Sequence, residues 1–217
     1  YPTTATLAPA RRLALLDLGR RERFAVIEDD YDHEFHYDGR PILPLASADR
    51  DGVVAYVGSL SKVLAPGLRV GFVVAARALL ERLAVLRTHV DRQGDQVVER
   101  AVATLLEDGE VQRHAQRMRR VYRERRDALC EALEREVGGA LEFTRPSGGM
   151  ALWARVDPDL DLERWLTAAA GAGVGLYPTS RFPFVPPVPH AVRVGFAPLT
   201  VDELREAARR LGAAARP

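Results

Sequence analysis

Two apolar runs, Val53–Val57 and Val70–Val74, bracket a stretch that contains Gly58, Pro66 and Gly67. Apolar runs of this length read as buried strands, and the glycines and proline between them end the first strand and re-aim the chain into the second. The pattern points to an α/β fold with a loop beyond the carboxyl end of a strand, where open α/β sheets gather the groups that meet ligands. That loop holds Lys62, the one lysine among 31 basic residues. A guanidinium stays protonated and is a poor nucleophile, whereas a desolvated lysine can lose its proton and attack a carbonyl to form a Schiff base. Ser59 and Ser61 add hydroxyls, Gly67 lets backbone approach closely, and Arg69 supplies a planar fork of donors suited to phosphate. The set reads as a site for a phosphorylated aldehyde. The plainer reading is an arginine-rich composition that left one surface lysine.

Upstream, Phe24–Ile27 reads as a short buried strand running into EDDYDHEF. Acidic residues crowded at the end of an apolar strand are either a solvated turn or part of a site. A Schiff-base aldehyde carried on a pyridine ring needs a carboxylate near the ring nitrogen and often a phenol near the ring oxygen. Asp29, Asp30 and Tyr31 offer both groups, and spacing alone does not separate the two aspartates. The five histidines show no metal-ligand spacing, and His33 and His36 read as the surface of the acidic cluster.

The rest of the chain sets bounds. Net charge is +1, which gives no electrostatic case for nucleic acid or an anionic membrane, and no apolar run approaches the roughly 20 residues of a membrane span. The single cysteine, Cys130, rules out an intrachain disulfide framework and fits a reducing cytoplasm. Helices are expected over Pro9–Arg23, with Thr4 or Thr6 as caps, and over Ala78–Leu86, Asp95–Leu106 and Glu110–Val137. The arginines of the last of these read as a solvated face. The final 80 or so residues read as an α+β unit. Its strands are expected at Leu141–Thr144, Met150–Val156, Val174–Tyr177 and Ala191–Phe196, with helices at Asp161–Ala172 and Thr200–Ala215. Thr200 and Glu203 have the spacing of a capping box, and Phe182–Pro189 is proline-rich and irregular. Arg181 and Arg193 stand out, because an arginine inside an apolar strand must pair or reach solvent.

VIEDDYDHEFHYDGRPILPL followed by VAYVGSLSKVLAPGLRVGFVV resembles the pyridoxal-phosphate aminotransferases of fold type I, in particular the aminotransferase-like domain of MocR-type (GntR family) transcription regulators. The likeness covers essentially the whole chain. It implies the C-terminal part of that fold: three strands of a mostly parallel large-domain sheet within residues 1–109, then an interdomain helix and a small α+β domain within 110–217. It also implies that Lys62 carries pyridoxal 5'-phosphate as an internal aldimine and that Asp29 meets the pyridine nitrogen. Tyr31 would then meet the phenolic oxygen, with Ser59, Ser61 and Arg69 around the phosphate. Arg181 or Arg193 would grip the carboxylate of an amino-acid ligand, and a homodimer is the expected assembly.

On this resemblance the leading expectation is an effector-sensing domain in which an amine or amino acid displaces Lys62. The alternatives are a catalytic class I aminotransferase and, outside the cofactor class, a lyase that uses Lys62 directly on a carbonyl substrate. Three strands drawn from a larger sheet would leave both outer members without neighbours, so the chain is expected to be the C-terminal part of a longer protein. Any DNA contact would then come from an upstream winged helix.

Overall fold

A computed structural model describes residues 2–182 and 188–216, arranged as two compact units. One comprises Thr6–Glu34 and Gly39–Arg117; the other comprises Tyr1–Ala5, Phe35–Asp38 and Met118–Pro217. The division falls inside a long helix, past the Gly109 turn at which the expected boundary of 109/110 lies.

In the first unit, helix α1 (Pro9–Glu22) leads into β1 (Val26–Asp30), β2 (Val54–Ser59) and β3 (Gly71–Val74), and then into α2 (Arg77–Val90) and α3 (Gln96–Glu107). The sheet order is β1-β2-β3, with β1 parallel to β2 and β3 antiparallel to it. The antiparallel return follows from the short Leu60–Val70 connection, which is too brief for a helical crossover of a dozen or more residues. Helix α1 begins with Pro9 at its first turn and Ala8 as cap, without a side-chain cap bond, so neither Thr4 nor Thr6 has the role expected of it. Pro9 supplies the helical φ and lacks an N–H that would need capping. Strand β1 also begins later than expected and runs on through Asp30, so the acidic residues belong to the strand itself. Both outer strands expose apolar side chains, with Ile27 74% and Val74 56% accessible. No residue of α2 is buried, although it carries Leu79, Leu83 and Leu86.

Helix α4 (Glu110–Glu136) starts in the first unit and continues into the second. There it packs with β4 (Leu141–Phe143), β5 (Ala151–Val156), α5 (Leu162–Gly171), β6 (Tyr177–Pro178), β7 (Ala191–Gly195) and α6 (Val201–Ala214). The four strands are antiparallel in the order β4-β5-β7-β6. Leu152, Ala154, Val192 and Val194 of the sheet form one core with Leu129 and Leu133 of α4, Trp165 of α5 and Leu204 and Leu211 of α6. The Trp165 indole donates to the Leu211 carbonyl at 3.0 Å, which satisfies its one polar atom inside that core. Cys130 is fully buried there, and burial pushes its thiol up to about 11. Thr200 and Glu203 form the expected capping box at the start of α6. Strand β6 is shorter and later than the Val174–Tyr177 run suggests, because Val174 and Leu176 pack against the core outside any ladder. Most of the proline-rich Phe182–Pro189 stretch lies outside the described residues. No described helix is long and apolar enough to cross a membrane.

Phe35–Asp38 is fastened to this second unit. Phe35 is 1% accessible and meets Tyr122 of α4 edge to face at 4.9 Å. His36 pairs with Gly148, the Tyr37 amide donates to the Ser147 carbonyl at 2.8 Å, and the Tyr37 hydroxyl donates to the Gly149 carbonyl. His36 is therefore part of a backbone bridge rather than the surface of the acidic cluster, and its Nε2 is buried without a hydrogen-bond partner among the described residues. Nor is α4's arginine face wholly solvated. Arg126 is 2% accessible, donates to Asp38, to Asp127 at 2.7 Å and to the Pro146 carbonyl at 2.7 Å, and lies 5.0 Å from the Tyr37 ring centre.

Removing Arg126 would leave the Pro146 carbonyl without this donor, while Asp38 and Asp127 would keep Arg123 and Arg145 as partners. Arg126→Ala should destabilise the folded protein by about 1 to 3 kcal/mol in urea unfolding, because a buried side chain and its hydrogen bond to a carbonyl are lost while the carboxylates stay partly solvated. The hydrogen bond from Arg126 holds the Asp38 carboxyl below its ordinary value. That contribution to stability is present above the unfolded carboxylate value, about pH 4, and is lost as pH falls through the lower folded value. Asp38→Asn should therefore be less stable than the parent near neutrality, with the difference shrinking below about pH 4.

Candidate functional site

Lys62 sits on a single helical turn at the end of β2. The Leu64 amide donates to the Leu60 carbonyl at 2.8 Å, the Leu60 amide donates to the Val70 carbonyl at 3.0 Å, and the Ser61 amide donates to Ser59 Oγ at 3.3 Å. Along this turn Leu60, Ser61 and Val63 are buried and Lys62 is exposed. Val63 packs with Leu64 against Val111 and Ala115 in the first turns of α4. The amine is thus directed outward by its buried neighbours, and the turn is held at both ends. Arg69 follows a 3₁₀ turn at Pro66–Leu68 and has a left-handed backbone, φ 52°. A non-glycine residue in that region is uncommon, and here it closes the 3₁₀ turn before β3.

Side chains alternate across strands, and residues in register share a face. The register pairs Asp29 with Val57 and Asp30 with Gly58 on one side of β2, then Val57 with Val73, Gly58 with Phe72 and Ser59 with Gly71 on the other. Asp29 and Ser59 therefore share one face of the sheet, and Glu28, Asp30, Tyr56 and Phe72 share the opposite one. On that opposite face the two carboxylates are occupied. Glu28 accepts from the Leu45 and Ala46 amides at 2.6 and 3.0 Å, which ties β1 to the loop that follows it. Asp30 accepts from the Tyr56 hydroxyl at 3.3 Å and pairs with His33 Nδ1 at 3.2 Å. Burial, with the Asp30 charge added to it, raises the Tyr56 phenol above its ordinary value and keeps it a neutral donor. Asp29 is exposed on its own face, and Tyr31 is half-buried just past the strand.

Lys62, Asp29, Tyr31, Ser59, Ser61 and Arg69 thus all belong to the first unit, at or just beyond the carboxyl ends of β1 and β2. Arg181 and Arg193 belong to the second. Arg193 lies on β7 between Trp153 of β5 and Tyr177 of β6, in register with both, and the Arg181 guanidinium stacks over the Tyr177 ring at 5.3 Å. Tyr56, Trp153 and Tyr177 were not singled out by the sequence reading. Each meets a residue that was, Asp30 or Arg193, across neighbouring strands, a placing that depends on register and that spacing within one strand does not reveal.

The donor set can be matched against a phosphorylated pyridine aldehyde by its chemistry. An amine, two hydroxyls, a guanidinium and a carboxylate on the face shared with Ser59 are the residue types such a group requires, although Lys62 is exposed here rather than desolvated as its chemistry led one to expect. By type they fit it. Gly67, expected to let backbone approach, has nothing near it, and the close approaches are at Gly58 and Gly71.

The family model for class I and II aminotransferases matches residues 2–211. The chain belongs to that family. It is 30% identical over 210 residues to aromatic-amino-acid aminotransferase 1 of Thermococcus litoralis, which covers 97% of this chain and 50% of that one. It is 31% identical over 214 residues to the probable rhizopine catabolism regulatory protein MocR of Rhizobium meliloti, with 99% and 43% covered. In structure it resembles Pyrococcus horikoshii kynurenine aminotransferase, solved in complex with PMP, with a TM-score of 0.91, 29% identity and 99% and 53% covered. The fold is the C-terminal part of fold type I, and the chain spans about half the length of the curated relatives it matches.

A methyl group at Gly71 would lie 2.8 Å from the Gly58 carbonyl oxygen, and one at Gly58 would lie 2.3 Å from the tip of the Phe72 ring. The exposed ring can swing aside, whereas the carbonyl is part of the β2–β3 ladder. Gly71→Ala should accordingly lower the melting temperature more than Gly58→Ala, and a thermal scan of the two variants checks the ranking.

Proposed function

We propose that this chain is the pyridoxal-phosphate-binding, aminotransferase-like sensing domain of a MocR-type regulator, holding the cofactor through Lys62 and exchanging it with an amine or amino-acid ligand. The observation that supports this most is the arrangement around β2: an outward-directed lysine on a fixed turn, with Asp29 on the face of Ser59. When bound, pyridoxal phosphate supplies an aldehyde that condenses with amines and a ring that withdraws electrons from the amine carbon. Lys62 Nζ is the attachment point that an incoming amine displaces. Asp29 holds a proton at the ring nitrogen, and Asp30 is kept from that task by Tyr56 and His33. Arg69, Ser59 and Ser61 bind the phosphate, and Tyr31 donates to the phenolic oxygen. Arg193 or Arg181 takes the ligand carboxylate. Assembly as a homodimer, a cytoplasmic setting and DNA binding through a winged helix elsewhere in the protein complete this reading.

A catalytic aminotransferase is the second reading, favoured by relatives that are themselves aminotransferases. In that case the displaced Lys62 amine also carries a proton to and from the reacting carbon. Release of keto acid separates the two. A sensing domain in the full-length protein should release no more than about one keto acid per Lys62 on long incubation with its ligand; sustained release would decide for the enzyme.

Asp29→Asn should change the visible spectrum of the cofactor-loaded protein and slow its exchange with amines. Asp30→Asn should do so less, because it breaks contacts on the opposite face. The reverse ranking in spectra and exchange rates would transfer the role to Asp30.

A further inference from the structure

We infer that His33 is a positioning residue for the ring contacts of the first unit: its bond to Asp30 closes the chain around Tyr31 and fixes the direction of that phenol and of Asp29. The inference rests on the proposed function in taking Asp29 and Tyr31 to meet the cofactor ring, and it adds a residue that reads from the sequence as mere surface. The first observation is where regular structure stops. Asp30 is the last residue of β1 and is paired with Gly58, whereas Tyr31 lies past the ladder and His33 and Glu34 form a turn. The backbone pairing that sets side-chain direction along a strand therefore ends one residue before Tyr31.

The second observation is the bond that takes over from it. His33 Nδ1 lies 3.2 Å from Asp30 Oδ2, and the two side chains are 32% and 18% accessible, so the pair is partly shielded from water. Both the imidazolium and the Nδ1–H tautomer donate to a carboxylate in this arrangement. A contact between residues three apart encloses Tyr31 and Asp32 in a four-residue turn, which few backbone conformations close. The third observation is that Asp30 is held from the strand side as well. The same carboxylate oxygen accepts from the Tyr56 hydroxyl at 3.3 Å. The Phe72 ring lies over Gly58 with its centre 6.0 Å from that of Tyr56, on the sheet face opposite Asp29. With its carboxylate fixed in this way, the His33 contact becomes a constraint on the backbone between them, and that backbone carries Tyr31.

Full-length protein loaded with pyridoxal phosphate reports ring position through its visible circular dichroism per bound cofactor. His33→Leu should change that signal and slow exchange with methylamine by about threefold or more, the scale of one partly shielded pair. His33→Asn keeps an N–H donor near the place of Nδ1 and should restore both readouts. Should His33→Leu fail to fold, His33→Gln carries its donor one bond farther out and should show the same loss. Because His33 acts through Asp30, His33→Leu should add little in an Asp30→Ala background. Parental dichroism and exchange in His33→Leu with only a lower melting temperature, no recovery in His33→Asn, or effects that add to those of Asp30→Ala would each overturn the inference. Amide hydrogen exchange in full-length protein free of cofactor separates this inference from the reading beneath it. His33→Leu should speed amide exchange across residues 31–34, and unchanged protection there overturns the inference even where the Lys62-dependent visible band is present. Faster amide exchange in protein that never shows such a band supports the clasp and removes the cofactor reading.

Discussion

The turn at Leu60–Leu64 is the element on which the site depends. It is short, and its conformation is held by interactions outside itself: the β2–β3 ladder continues into it through the Leu60 amide and Val70 carbonyl, and Val63 is sunk against Val111 and Ala115 of α4. Flanking a charged side chain with buried residues on a closed turn fixes the direction of that side chain at little cost, because the entropy of ordering the backbone is met by the strands and helix around it. The glycines at 58 and 71 serve the same element: Gly71 leaves room for the Gly58 carbonyl, and Gly58 for the Phe72 ring, just where the strands enter the loop.

A second constraint acts on the other side of the sheet. Three consecutive carboxylates on one strand end would repel one another if they faced the same way. Strand alternation separates them, and the protein supplies each inward one with donors: backbone amides for Glu28, a phenol and an imidazole for Asp30. Asp29 is left to the face that carries Ser59. The remainder of the same motif does different work. Phe35, Tyr37 and Asp38 are bound to Tyr122, Arg126 and the 146–149 turn, so a single sequence motif serves both units.

Much of this was legible in the sequence because it depends on local periodicity. The strand pair around Lys62, the long helix, the small antiparallel sheet and the Thr200 cap all follow from apolar spacing and cap chemistry. What was not legible depends on partners far along the chain. Nothing near Arg126 distinguishes it from the solvated arginines of α4, since its burial comes from Asp38, 88 residues away. His36 belongs to a bridge that forms only when Gly148 comes beside it. Strand β1 was placed early because acidic residues were read as ending it, although a strand whose edges meet amides and hydroxyls tolerates them. The placing of Arg181 and of Arg193 beside Tyr177 is likewise set by sheet order, which spacing does not reveal.

The account stands on Lys62 as the covalent attachment point, and peptide mapping addresses that most directly. Full-length protein loaded with pyridoxal phosphate and treated with borohydride should yield, after digestion, a phosphopyridoxyl group on the peptide that contains Lys62 and on no other. Pre-incubation with an amine ligand should reduce the label in proportion to its displacement of the lysine. Labelling at a different residue, or none at Lys62 in protein that retains its visible band, would contradict the account.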